Sequence, residues 1–166
     1  MTLAAILVSL QALGAIVGVV GVMWGEMSYV RAMKDGAIDT AERIHLSHIA
    51  RALRFGMMLL LLASLGLVVL AFSAHAPLQP AEQSAYWIEM LLALLIIFLS
   101  YALSRRKVSF ALGSASIFSA WWFLALLAFG QLPSLTLGAA IALYLIATGI
   151  LYGLLWYARM LAMPRS

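Results

Sequence analysis

The chain carries six acids and three histidines among 166 residues and no cysteine, so its capacity for chemistry rests on where those few groups fall. Glu26 lies toward the end of a long apolar run that begins near Leu3, and Glu89 lies near the start of another. An ionisable side chain at bilayer depth costs about 3 kcal/mol on insertion scales and is by default a functional candidate. Both acids sit near the ends of their runs, so the competing reading is that they reach headgroup water. They are too far apart along the membrane normal to share one site. The polar groups at middle depth, Gln11, Ser64, Ser116, Ser119 and Thr148, are sparse and none is ionisable. That argues against a proton- or ion-coupled carrier.

Glu42, His45 and His48 are spaced three apart, which puts successive members on one side of a helix. Glu-x-x-His is a ligand pair in helical di-iron sites, and imidazole suits zinc, copper or iron. Such a site needs a matching pair from a second helix, and only Glu26, Asp35 or Asp39 could approach. The alternative is a solvated polar face that also reaches Arg51. A bis-histidine haem inside the membrane is beyond this chain alone. His45 and His48 share one helix, and His75 falls a bilayer away. A single histidine with another axial ligand, or with a partner's histidine, stays open. No cofactor is predicted; a metal ion or a haem is the alternative.

Two further features bear on ligands. Trp121 and Trp122 lie deeper than an interfacial aromatic belt requires. They read as packing, with a ligand-facing role as the alternative. Gly14, Gly18, Gly21 and Gly25 follow the spacing of a helix seam, extended by Gln11 and Ser28. In lipid, helices associate through close backbone packing, which small residues permit. Gly149 and Gly153 repeat the step in the last run, as do Ser109, Gly113, Ser116 and Ala120 in the fourth. Such a stripe packs helices of one chain, joins two copies, or lays a flat cofactor on bare backbone.

The elements that position these residues follow from composition. The chain is 66% hydrophobic and 10% charged, against about a quarter charged in soluble domains, so lipid must be part of its solvent. Five runs approach or exceed the roughly 20 apolar residues that a span needs: about 3–30, 55–73, 85–104, 108–130 and 136–158. The fold class is a single all-α transmembrane domain, 1–166, with five spans. With five spans, every one of the ten Lys and Arg residues falls on one side. By the positive-inside rule that side is cytoplasmic, with the N-terminus outside and the C-terminus inside. The same placement accounts for the net charge of +4 without nucleic acid. It also makes anionic lipid at the cytoplasmic face the expected partner. The first run lacks the positive start of a signal peptide.

Lys34-Asp35-Gly36 reads as a helix stop, and Asp39 with Glu42 as the next helix's N-cap and its partner. The first two helices then exceed 30 residues each, or ~45–50 Å at 1.5 Å per residue, and protrude as a cytoplasmic hairpin. Ile38, Ile44, Leu46, Ile49 and Leu53 are placed to hold that hairpin together.

The stretch "LQALGAIVGVVGVMWGEMSYVR" resembles the first span and exit of the copper-resistance-D-like proteins and the membrane protoporphyrinogen oxidase family. Those are small multi-pass bacterial proteins whose first span has the form Leu-His-x-x-(small residues)-Trp-x-Gly. The resemblance covers about the first 70 residues and implies copper- or haem-linked chemistry. This chain departs from the pattern in two places. Gln11 stands at the family's histidine position, and the third span has Glu89 where the oxidase family has a lysine and a later histidine.

The expected function is therefore non-enzymatic. The chain reads as a small multi-pass bundle of the bacterial cytoplasmic membrane that self-associates or serves in a larger membrane complex. A metal- or haem-linked protein with its site at the cytoplasmic mouth is the first alternative, and a small-solute transporter the second.

Overall fold

The computed structural model describes residues 2–32 and 40–162. It is all-helical: α1 (Leu3–Ala32), α2 (Thr40–Ser73), a short 3-10 turn (Pro80–Glu82), α3 (Ser84–Ser104), α4 (Phe110–Ala128) and α5 (Leu137–Ala162). All five α-helices are long and apolar enough to cross a membrane. A helix satisfies its own backbone groups, which is what hydrocarbon demands of any spanning segment. The Lys34-Asp35-Gly36 stop, the Asp39 cap and Ile38 lie outside the described residues.

The helix ends are set by local chemistry. Thr2, Ser109 and Thr136 each turn a side-chain hydroxyl onto a backbone N–H three residues ahead, at 3.3, 3.4 and 3.3 Å, where α1, α4 and α5 begin. Ser109 therefore acts as a cap. Three helices finish with one hydrogen-bond pattern, in which the third residue past the helix reaches back five positions. The bonds are Ala76 N to Ala71 O, Lys107 N to Ala102 O and Gln131 N to Leu126 O. That turn needs a left-handed residue, and the three are His75, Arg106 and Gly130, with φ of 49, 54 and 63°. Only one is glycine; the stops at Ser73 and Ser104, where the apolar runs were expected to end, use non-glycine residues in the left-handed position.

Successive helices reverse direction. Gln11 early in α1 meets Ser64 late in α2 and Glu89 early in α3, while Glu26 late in α1 meets Arg159 late in α5. Every described Lys and Arg, from Arg31 to Arg159, consequently falls toward one end of the bundle. It is the basic end of the bundle. α1 packs along α2, α3 along α4, and α4 also touches α1 and α5. α4 is thus the central helix and α5 the peripheral one. Of the most apolar stretch of each, 44% is buried in α4 and 11% in α5. An apolar gap of about 330 Å³ between α3 and α5, reaching Leu92, Phe123 and Tyr144, adds to α5's separateness.

The α1 glycines are filled from within the chain. A Cβ at Gly14 would lie 2.7 Å from the Gly56 carbonyl, and one at Gly56 would lie 2.9 Å from the Gly14 carbonyl. The two backbones are in contact. At Gly18 a Cβ would fall 1.9 Å from the Trp121 ring, and at Gly21 it would fall 2.7 Å from Leu53. Gly25 has ordinary contact with Ile49 at 3.6 Å. Of the three readings of this stripe, packing within one chain is the one realised, because α2 and Trp121 occupy the space. The α5 glycines are different. At Gly138, Gly149 and Gly153 a Cβ would meet nothing within 4 Å.

α1 and α2, at 30 and 34 residues, are roughly 45 and 51 Å long at 1.5 Å per residue, against a hydrocarbon core of ~30 Å. Their pairing continues to the basic end, where Gly25 meets Ile49 and the Trp24 indole donates to His45. Leu46 and Leu53 are half-buried between the helices, whereas Ile44 is exposed.

Candidate functional site

Two polar centres lie at opposite ends of α1, 15 residues apart, or roughly 22 Å at helical rise. The first is built on Glu89. α1 supplies Gln11, α2 supplies Ser64 and α3 supplies Glu89, so three helices converge on one carboxyl group. The Gln11 amide Nε2 donates to both Glu89 oxygens, at 3.0 and 2.8 Å, and lies 3.1 Å from the Ser64 hydroxyl. Ser64 Oγ contacts Glu89 Oε1 and, at 2.8 Å, the Leu60 carbonyl one turn back on its own helix. Glu89 is 7% exposed and Ser64 2%. The expectation that Glu89 reaches headgroup water does not hold. The second turn of α3 faces α1 and α2, and burial replaces water with side-chain partners.

The second centre is built on Glu26, at the basic end. Arg159 Nη2 donates to both of its carboxylate oxygens, at 2.9 and 2.7 Å, and to Ser114 Oγ at 2.6 Å. The side chains of Arg159 and Glu26 are 10% and 12% exposed. The guanidinium also lies over the rings of Tyr29 and Phe110, 5.5 and 5.1 Å from their centroids, and those rings pack 4.2 Å apart. A cation over an aromatic face is stabilised by the ring quadrupole. Arg159 Nε is buried without a partner. This is a neutralised pair that ties the end of α5 to α1 and α4. Counting Arg159 only among the orienting basic residues missed it. The available signal was its position in the last turn of α5, level with the last turns of α1 that carry Glu26. Cavities of about 300 and 650 Å³ flank the pair.

Of Glu42, His45 and His48, the structure ties His45 to α1. His45 Nε2 accepts from Trp24 Nε1 at 2.9 Å, and His48 is exposed. Among the described residues no group of three His, Cys, Asp or Glu side chains is placed to hold a metal ion. Trp121 is 1% exposed at the centre of the bundle, its indole N–H unpartnered, and Trp122 is 39% exposed on the outer side of α4. Trp121 fills the space that Gly18 leaves. Gln11 and Ser64 were read as scattered mid-depth groups; no local pattern ties them to Glu89, because they lie 78 and 25 residues from it in sequence.

What the arrangement can do is neutralise one buried acid with a cation and hold another by hydrogen bonds alone. The likeness to copper-resistance-D-like and protoporphyrinogen oxidase proteins rests on the first-span residues by themselves: compared with protein-family models, curated proteins and solved structures, the chain matches none.

Proposed function

We propose that the protein is a non-enzymatic, multi-pass subunit of the bacterial cytoplasmic membrane that associates with a second copy or with a larger membrane complex through α5. The observation that carries this reading is the open face of α5. Gly149 and Gly153 form a Gly-x-x-x-Gly step with no neighbour, on the least buried helix of the bundle. Bare glycine on a lipid-facing helix lets another backbone approach closely, and such steps are a recurrent seam between spanning helices. Arg159, about 100° round α5 from this step, ties the helix to α1 through Glu26. The gathering of Lys and Arg at one end supports an N-outside orientation, with the α1–α2 extension in the cytoplasm beside anionic lipid.

The test is the oligomeric state in lipid nanodiscs by subunit counting. Wild type is expected as a dimer or higher assembly. A Gly149→Leu, Gly153→Leu variant is expected to dissociate, with self-affinity falling roughly tenfold or more, the ratio equivalent to about 1.4 kcal/mol. A monomeric wild type that also copurifies with no other membrane protein, or an assembly indifferent to both substitutions, refutes the reading.

A further inference from the structure

With Glu89 ionised, the single Ser64 hydroxyl hydrogen would have to serve two acceptors at once. Ser64 has one hydroxyl proton, yet its oxygen contacts two acceptors, the Leu60 carbonyl and Glu89 Oε1. If that proton goes to Leu60, no hydrogen lies between Ser64 and an ionised Glu89. If it goes to Glu89, the Ser64–Leu60 contact is empty. Gln11 Nε2 has none to spare, because its two amide hydrogens already serve three acceptors, both Glu89 oxygens and Ser64. One additional proton closes the chain. The Glu89 carboxyl donates to Ser64, Ser64 donates to Leu60, and Gln11 donates to the remaining oxygens. The groups facing Glu89 include no compensating charge. Among the described residues its carboxyl makes no ion pair, since Arg159 binds Glu26. The stretches of α1 and α2 around Gln11 and Ser64 carry no titratable residue. The nearest titratable groups along the chain are Tyr86, on the preceding turn of α3, and the exposed Glu82 and His75 of the α2–α3 link.

We propose that Glu89, Ser64 and Gln11 form a proton-binding site, in which Glu89 carries an exchangeable proton as a neutral carboxyl. The site lies five residues into α3, roughly 7.5 Å along the helix from its start, so exchange is with water at the end of the bundle away from the basic residues. The proposal is independent of the α5 assembly reading. It concerns a different helix face, and it stands whether the chain is one copy or two. It also does not require a carrier, since nothing ionisable continues the path inward from Glu89 to Glu26.

The test uses the full chain in phospholipid nanodiscs at neutral pH. The decisive measurement is the infrared difference between wild type and Glu89→Gln. A carbonyl stretch of a protonated carboxyl, downshifted in heavy water, is expected in wild type and lost in the variant. A second measurement needs no variant. An apolar carbodiimide reacts with protonated carboxyls in low-dielectric surroundings, and peptide mapping is expected to find the adduct on Glu89 and not on Glu26, whose carboxylate is paired. Sodium ions are expected to leave the labelling unchanged. Absence of the infrared band overturns the proposal. So does protection of Glu89 by sodium, which would make the three side chains an alkali-cation site.

Discussion

Glu26 and Glu89 are the same residue type and both are largely withdrawn from solvent, yet the fold treats them in opposite ways. Glu26 is met by the Arg159 guanidinium, which is itself held by the Ser114 hydroxyl and two aromatic faces. Glu89 is met by an amide and a hydroxyl, with no cation. The difference teaches that burial of an acid in an apolar bundle has two solutions. A charge can be retained and paired, which ties distant helices together electrostatically. Alternatively the group can be held by neutral hydrogen bonds, which makes its protonation the variable. The first solution is a clamp, and the second is a place where a proton can be gained or lost.

The contrast can be broken by removing partners one at a time, with stability followed by denaturant titration in mixed micelles and Trp fluorescence as the signal. Arg159→Met should have the largest effect. It strands the Glu26 carboxylate in a nearly closed site, and breaking a buried pair from one side costs about 3–5 kcal/mol. A loss under about 1 kcal/mol would mean that water reaches the pair freely. Glu26→Gln should cost less, about 1–3 kcal/mol, because an amide oxygen still accepts from Arg159 while the charge-assisted part is lost. Combining it with Arg159→Met should recover part of the single-variant loss, since the two residues form one coupled unit.

Effects at the other centre should be smaller. Gln11→Leu removes the amide that bridges α1 to α3, and interhelical hydrogen bonds in lipid are worth about 0.6 kcal/mol on average and about 1.7 at most. Glu89→Gln should be smallest, under about 1 kcal/mol, because an amide reproduces the donor and acceptor of a neutral carboxyl. If Glu89→Gln proved as damaging as Arg159→Met, the two acids would be alike and the contrast would fail.

The glycines repeat the lesson in apolar terms. Gly18 and Gly153 look alike in the sequence, each four residues from another glycine in an apolar run. Gly18 is covered by Trp121 and Gly153 by nothing. Ser109 likewise looked like part of a small-residue stripe and serves as a helix cap. Spacing identifies a face on which close approach is allowed; the arrangement of the other helices decides whether this chain already uses it.

The sequence by itself determined the five helices, their length and the gathering of basic residues at one end. Those properties are local, set by apolar run length, by the absence of water to bind exposed backbone, and by where charges interrupt the runs. It also marked Glu26 and Glu89 as unusual, since an acid in an apolar stretch is visible without a fold. Only the tertiary structure decided that Gln11, Ser64 and Glu89 meet, that Arg159 closes on Glu26, and that the α1 glycines are filled while those of α5 stay open. Those contacts join residues 25 to 133 positions apart. Helix faces in lipid are apolar all round, so hydropathy does not say which side of one helix meets which side of another. That choice is made by shape, by the few polar groups that must find partners, and by Trp121 needing the gap beside Gly18.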